Sequence, residues 1–264
     1  MAIEIYLTDT FASPACKGNP TAVCVYEKMD DDAMQSMATE LNVPVTAFIQ
    51  RDAPPPHPIK YFTVTTEIPA CGHATLAAAS VQMKRSSSSR ADFVTVNNTV
   101  ISTAAEGDVV MMRYPKYTLQ DFDVTKEILE SLYLPAFINA GFSPELETLF
   151  IETEPAVLRS IQPNFARLTQ SSNIIKEVVI TSVSDDPQYD YLLRSFCPWI
   201  GIDEDPVTGS VHAVLAGYWK ERLNKSRLKA HQASELGGEL YVHALADATG
   251  IGGRTVFRKS YIAS

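Results

Sequence analysis

The sequence predicts a mixed α/β protein of two similar halves, each organised around a buried helix. Two observations predict it. Short alternating or β-rich segments recur along the whole chain with helical patterns between them, as layered sheet-and-helix folds require. In addition, apolar runs follow Cys71-Gly72-His73 and Thr208-Gly209-Ser210, about half a chain apart, each with a Phe-containing strand upstream. A helix that is apolar on all sides is buried.

The elements follow in order. Residues 3–8 alternate and read as a strand; residues 11–20 hold Pro14, Gly18 and Pro20 and read as a loop. Residues 21–26 are β-rich. Residues 30–41 place Ala33, Met34, Met37, Ala38 and Leu41 at helical spacing. A short strand is predicted over 46–50, a loop over 52–58 because of Pro54-Pro55-Pro56, and a strand over 60–65. The first central helix spans 73–83, followed by a polar loop over 86–89. Strands are predicted at 93–96, 100–104 and 109–114. Residues 116–123 read as a domain junction that enters a helix at 124–132. The second half repeats the theme, with strands at 147–152 and 177–182 and helices at 161–169 and 206–223. Gly237-Gly238 opens late strands at 239–243 and 255–262.

Composition bounds the function. A chain of 264 residues, 45% hydrophobic and 20% charged, can bury a sizeable core. A net charge of −9 and no Lys/Arg run longer than two residues argue against a nucleic-acid binder, which needs a basic face. A small anionic substrate stays compatible, because it meets a local field and not the net charge. No apolar run approaches the ~20 residues of a membrane span. The first six residues read as a strand and not as a signal peptide, so no membrane association and a cytoplasmic location are expected. Four cysteines make no disulfide framework in a chain this long, and the absence of Cys-x-x-Cys argues against a structural zinc site.

The chemistry concentrates at the two helix starts. First-turn N–H groups lack partners inside a helix, and the macrodipole adds positive charge, so such ends bind carboxylate or phosphate. Gly72 and Gly209 let a ligand approach the backbone. His73 is the candidate acid–base group, because an unperturbed imidazole titrates near neutrality; the alternative is a histidine bonded within its own fold. Asp205 before Pro206 reads as a helix cap, or else as a carboxylate poised across a cleft from His73. Cys71 reads as a thiolate base or as a small buried residue. His212, Trp199 and Trp219 read as structural, and Glu67 as shaping the turn before Cys71. No nucleophile elbow, phosphate loop or dinucleotide fingerprint occurs.

At these residues the sequence resembles the PhzF family of phenazine biosynthesis-like proteins. The matching stretches are Asp9-Thr10-Phe11 with Gly18-Asn19-Pro20, Glu40-Leu41-Asn42 with Thr46-Ala47-Phe48, and residues 67–75 around Cys71-Gly72-His73. Residues 201–212 around Asp205-Pro206-Val207-Thr208-Gly209-Ser210, and Gln232-Ala233-Ser234 with Gly237-Gly238, complete the set. The resemblance implies a diaminopimelate epimerase-like α+β fold, with two lobes that each wrap a curved, mostly antiparallel sheet around a central helix. It implies an N-terminal lobe over residues 1–115, completed by a last strand at about 253–264, a second lobe over 116–252, and a site between them. It implies cofactor-free proton transfer on a small carboxylate-bearing metabolite, with no metal, nucleotide or flavin, and a homodimer. His73 and Asp205 fall on its functional positions. Gly72, Gly209 and Ser210 fall on substrate-contacting positions, and Asn19, Val45 and Cys71 join them as expected binding residues.

One departure stands out. The family usually reads Asn-Leu-Ser-Glu before Thr-x-Phe, and that Glu is its main acid/base. Here the run is Asn42-Val43-Pro44-Val45-Thr46-Ala47-Phe48, and Val45 cannot carry a proton. Losing a general acid/base costs roughly 10²–10⁴ in rate when the chemistry is unchanged. Three readings follow: an isomerase, epimerase, eliminase or cyclase of altered chemistry; a catalytically silent metabolite binder; or a partner-binding protein. Glu40 and Glu67 are the carboxylates considered as replacements, with Glu40 expected on a solvated helix face.

Overall fold

The structure is a computed structural model that describes residues 2–263. The first part of the chain runs β1 (Ile3–Thr10), β2 (Asn19–Tyr26), α1 (Asp31–Leu41), β3 (Val45–Gln50), β4 (His57–Phe62), β5 (Glu67–Ile68) and α2 (Gly72–Ser86). It continues with β6 (Phe93–Val94), β7 (Val100–Ile101), β8 (Thr103–Glu106) and β9 (Val109–Tyr114). The second part runs β10 (Gln120–Asp121), α3 (Lys126–Ser131), β11 (Asn139–Ser143), β12 (Thr148–Glu152), α4 (Pro155–Ser160), α5 (Phe165–Gln170), β13 (Glu177–Val183) and β14 (Tyr191–Phe196). A 3-10 turn at Pro198–Ile200 precedes α6 (His212–Leu223), β15 (Arg227–Gln232) and β16 (Gly238–Ala244). Finally, β17 (Thr249–Gly253) leads into β18 (Thr255–Ala263). Two compact units result, one of Met1–Tyr114 with Gly250–Ser264 and one of Pro115–Thr249.

In the first unit the sheet order is β18-β1-β2-β3-β4-β6-β7, with β5 on β4. All neighbouring pairs in it are antiparallel except β2/β3 and β4/β6. Its two faces differ. Ile5, Cys24, Phe48 and Phe62 pack with Met34 and Ala38 of α1. Side chains alternate across a strand, so Asn19, Thr21, Val45 and Ala47 point to the opposite face. That face covers α2, which packs against β1, β2, β3, β9 and β18. The Ala-rich run from Ala74 to Ala79 is wholly buried, as the all-round apolar pattern requires.

The second unit is built the same way. Its strands take the order β10-β11-β12-β13-β14-β15-β16 along a ten-stranded sheet, and among these pairs only β12/β13 and β14/β15 are parallel. On one face a core of Leu149, Ile151, Val178, Ile180, Leu192 and Phe196 packs with residues of α3, α4 and α5. On the other lies α6, buried through Ala216 and again at Trp219, whose Nε1 donates to Thr181 Oγ1 at 3.0 Å. The fold is mixed α+β with two lobes, each carrying a central helix. Among the described residues, no helix is long and apolar enough to cross a membrane.

The structure corrects several boundaries. The strand expected at 60–65 begins at His57, inside the expected proline loop. In place of one helix at 161–169 there is α4, which ends at Ser160, and then α5 from Phe165. Pro155 starts the first at a permitted position, and Pro163 pushes the residue before it out of helical conformation. The helix expected from 206 begins at His212. An α-helix through that stretch would use the Asp205 and Pro206 carbonyls internally. Here Gln232 Nε2 donates to the Asp205 carbonyl at 2.7 Å, and Ser234 Oγ donates to the Pro206 carbonyl at 2.6 Å.

Candidate active site

The start of α2 gathers the first-unit candidates. Cys71 is its N-cap in extended conformation and gives no side-chain cap, so the N–H groups of Gly72, His73 and Ala74 have no acceptor among the described residues. A β-carbon on Gly72 would stand 2.7 Å from the Tyr114 hydroxyl, so only glycine fits there without displacing that ring. Thr75 closes the turn, its Oγ1 bonding the Cys71 carbonyl at 2.7 Å and the Tyr61 hydroxyl at 2.6 Å.

The strand register places this helix start. Tyr61 pairs with Ala47, so Thr75 lies over that point of β3. Arg85, near the far end of α2, reaches Glu4, whose row runs through Val25 to Ile49. The helix therefore runs from the Val45 end of β3 toward the Ile49 end. Val45 is buried at 6% exposure on the α2 face, and its partner Thr21 stands two residues from buried Asn19.

His73 is half-buried, and burial pushes its imidazole down to about 4, below the near-neutral range expected of a free histidine. The Cys71 sulfur lies 3.4 Å from Nδ1 and 3.5 Å from Nε2, beside the ring and not aimed along one nitrogen. Glu40 and Glu67 are exposed, and Glu67 lies 3.9 Å from Lys60.

In the second unit Asp205 is not a helix cap, because α6 starts seven residues later. Its carboxylate instead closes a tight turn, accepting from Thr208 Oγ1 at 2.6 Å and from the Val207 backbone. Burial pushes the Asp205 carboxyl up, and Glu204 adds to that, while the bonds from Thr208 and Val207 pull it down. The turn is held from outside. The Thr208 N–H donates to Gln232 Oε1 at 2.7 Å, and the Asp205 N–H donates to the Ser195 carbonyl at 3.0 Å. Arg194 grips Glu204 with two parallel bonds of 2.8 Å. A β-carbon on Gly238 would come within 2.3 Å of Val207, so this glycine lets the sheet close over the turn.

Gly209 and Ser210 follow as a 3-10-like lead-in, with His212 N–H on the Gly209 carbonyl and Ala213 N–H on the Ser210 carbonyl. The N–H groups of Gly209, Ser210 and Val211 have no acceptor among the described residues, as at α2. His212 is fully buried; its Nδ1 meets the Tyr191 hydroxyl, and burial pushes it down to about 3. Trp199 donates to the Thr169 and Ser172 carbonyls, as a packing residue does.

Sequence reasoning missed two contributors. Gln232 clamps both ends of the Asp205 turn, and its only signal was its place in a motif. Glu177 is a second, half-buried carboxyl close enough to feel the charge of Asp205, and as a charged residue opening a strand it gave no signal. Among the described residues, no three His, Cys, Asp or Glu side chains group as metal ligands would.

Comparison with known proteins agrees with these motifs. The family model described as "Phenazine biosynthesis-like protein" matches residues 8–259. A mouse phenazine biosynthesis-like domain-containing protein is 32% identical, over 94% of this chain and 93% of that protein. An uncharacterized isomerase of Pseudomonas aeruginosa is 35% identical, over 97% of this chain and 96% of that protein. A crystal structure of a PhzF-family phenazine biosynthesis protein from Enterococcus faecalis superposes with a TM-score of 0.91 at 29% identity, covering all of both chains. With the matching stretches lying where the two helix starts and their clamps are built, the chain belongs to the phenazine biosynthesis-like family and has its diaminopimelate epimerase-like fold.

Proposed function

We propose that the protein is a cofactor-independent isomerase or epimerase that moves a proton on a small carboxylate-bearing metabolite, with His73 and Asp205 as the proton-moving groups. One observation carries this reading: burial displaces the two groups in opposite directions. It holds an imidazole in its neutral, proton-accepting form and makes a carboxyl keep its proton more tightly than usual. Groups whose environments push their protonation apart divide acid and base roles between them. The free N–H groups at Gly72 and at Gly209 and Ser210 are suited to carboxylate oxygens. Val45 and Asn19 line the α2 face, where Val45 supplies an apolar wall in place of the family carboxylate. The isomerase name of the Pseudomonas relative supports the class of reaction.

The test is solvent-proton exchange. The protein is incubated in D₂O with a pool of small carboxylate metabolites while masses are followed. Deuterium uptake or a new product is expected with the intact protein. His73→Ala and Asp205→Ala should each lower the rate roughly 10²–10⁴-fold. Unchanged exchange in both variants would overturn the assignment. The buried valine at position 45 favours a second reading, a silent metabolite binder. Calorimetric binding of a carboxylate without turnover would establish it, and turnover would remove it.

A further inference from the structure

Glu177 opens β13 between two strands. On one side its Oε1 accepts from Ser195 Oγ of β14; on the other its Oε2 stands 2.9 Å from Thr148 Oγ1 of β12. Ser195 is fully buried, and its carbonyl accepts the Asp205 N–H at 3.0 Å. One serine therefore holds the backbone of Asp205 and is itself held by Glu177.

We propose that Glu177 is a positioning residue for Asp205, acting through Ser195 to fix the turn that carries the Asp205 carboxyl. The proposal rests on the role given to Asp205 above. Hydrogen counting defines the form in which Glu177 does this. Thr148 Oγ1 lies 2.9 Å from Glu177 Oε2 and 3.0 Å from the Leu146 carbonyl, and it has one hydrogen to give. With an ionised Glu177, one of these two contacts lacks a hydrogen. With a proton on Oε2, Glu177 donates to Thr148, Thr148 donates to the Leu146 carbonyl, and Ser195 donates to Oε1. Every contact is then served, so Glu177 is the neutral acid.

The surroundings agree. Burial pushes the Glu177 carboxyl up, the bonds from Ser195 and Thr148 pull it back, and the negative charge of Asp205 adds to the upward shift, so that the net direction is up. The other ionisable groups around the turn are Glu204, gripped by Arg194, and Asp203 and Cys197, the thiol of which is itself pushed up by burial and by Asp205 and Glu177. None of them offers Glu177 a cation. Two neighbouring carboxyls do not ionise together readily, which fits a proton held on Glu177 beside Asp205.

The experiment is carboxyl-carbon NMR titration of the full chain, comparing wild type with Asp205→Asn, Glu177→Gln and Glu177→Leu. The Glu177 carbon is expected to titrate above the ordinary carboxylate range, with its midpoint falling by about one pH unit or more in Asp205→Asn. Glu177→Gln reproduces the neutral acid and should leave the Asp205 midpoint in place. Glu177→Leu cannot hold Ser195, and should move that midpoint and lower kcat with KM little changed. A Glu177 carbon that titrates in the ordinary carboxylate range, or that ignores Asp205→Asn, overturns the proposal. So does an Asp205 midpoint that shifts in Glu177→Gln. Coupled titration without deuterium uptake by the wild type would support the carboxyl pair while overturning the proton-transfer reading, so the two failures are distinguishable.

Discussion

Gln232 shows how much one amide can fix. It accepts from the Thr208 N–H and donates to the Asp205 carbonyl, so a single side chain sets both ends of the turn. Gln232→Ala leaves two buried backbone groups unpaired, at about 1–3 kcal/mol each. The expected result is a drop in stability of that order in urea unfolding, accompanied by loss of proton-exchange activity. Gln232→Glu should do less damage to the fold but still remove the donor to Asp205. Gly238 tests the same turn sterically. The added methyl in Gly238→Ala meets Val207, and overpacking of this kind costs roughly 1–3 kcal/mol. The double variant Gly238→Ala/Val207→Ala should recover part of that loss, and additivity in the cycle would refute the contact as the cause.

At the scale of elements, α6 exposes the limits of reading from sequence. The strands at 109–114 and 177–182 and the core of α2 were legible, because alternation and apolar runs are local signals. The start of α6 was not, because the carbonyls that would continue it backward are taken by Gln232 and Ser234, more than 25 residues away. Strands β11, β15 and β17 went unread. His73 and Asp205 were singled out from their motifs, but the direction in which burial shifts each was not legible there. Glu177 was invisible because its partners, Thr148 and Ser195, lie on other strands.

His212 in the first turn of α6 gives that point a pH signature. Its imidazole titrates near 6.5 when unfolded and near 3 in the fold, so below pH 6.5 the unfolded chain takes a proton that the native state refuses. Stability contributed this way is present above pH 6.5 and is lost as pH falls, at about 1.4 kcal/mol per pH unit. Asp205 and Glu177 are shifted upward and act in the opposite direction. The histidine effect is therefore read as the difference between wild type and His212→Gln, followed by urea unfolding from pH 7 to pH 4. The wild type should lose stability faster than the variant, and parallel curves would refute the assignment.

The whole molecule is organised by one long-range closure. The first unit is assembled from residues 1–114 and 250–264, so β1 pairs on one side with β2 and on the other with β18, about 250 positions later. Removing residues 255–264 would leave β1 as an open sheet edge of eight residues and uncover part of α2. Open edges of that length invite pairing with other chains. The truncated chain is expected to aggregate, or to lose cooperative unfolding, as light scattering and calorimetry would show. A soluble truncated chain with an unchanged Tm would refute the role assigned to this strand.

This closure has a consequence for how the chain is made. Synthesis produces β1 well before β18, so the sheet around α2 lacks that edge strand until β18 is produced. At ~5–20 residues per second, the interval between Tyr114 and Thr255 lasts on the order of ten seconds. The second unit is contiguous and can complete its sheet within that time, while the earlier-born half waits with its edge uncovered. Of the two units, the one whose synthesis starts first is thus the one completed last.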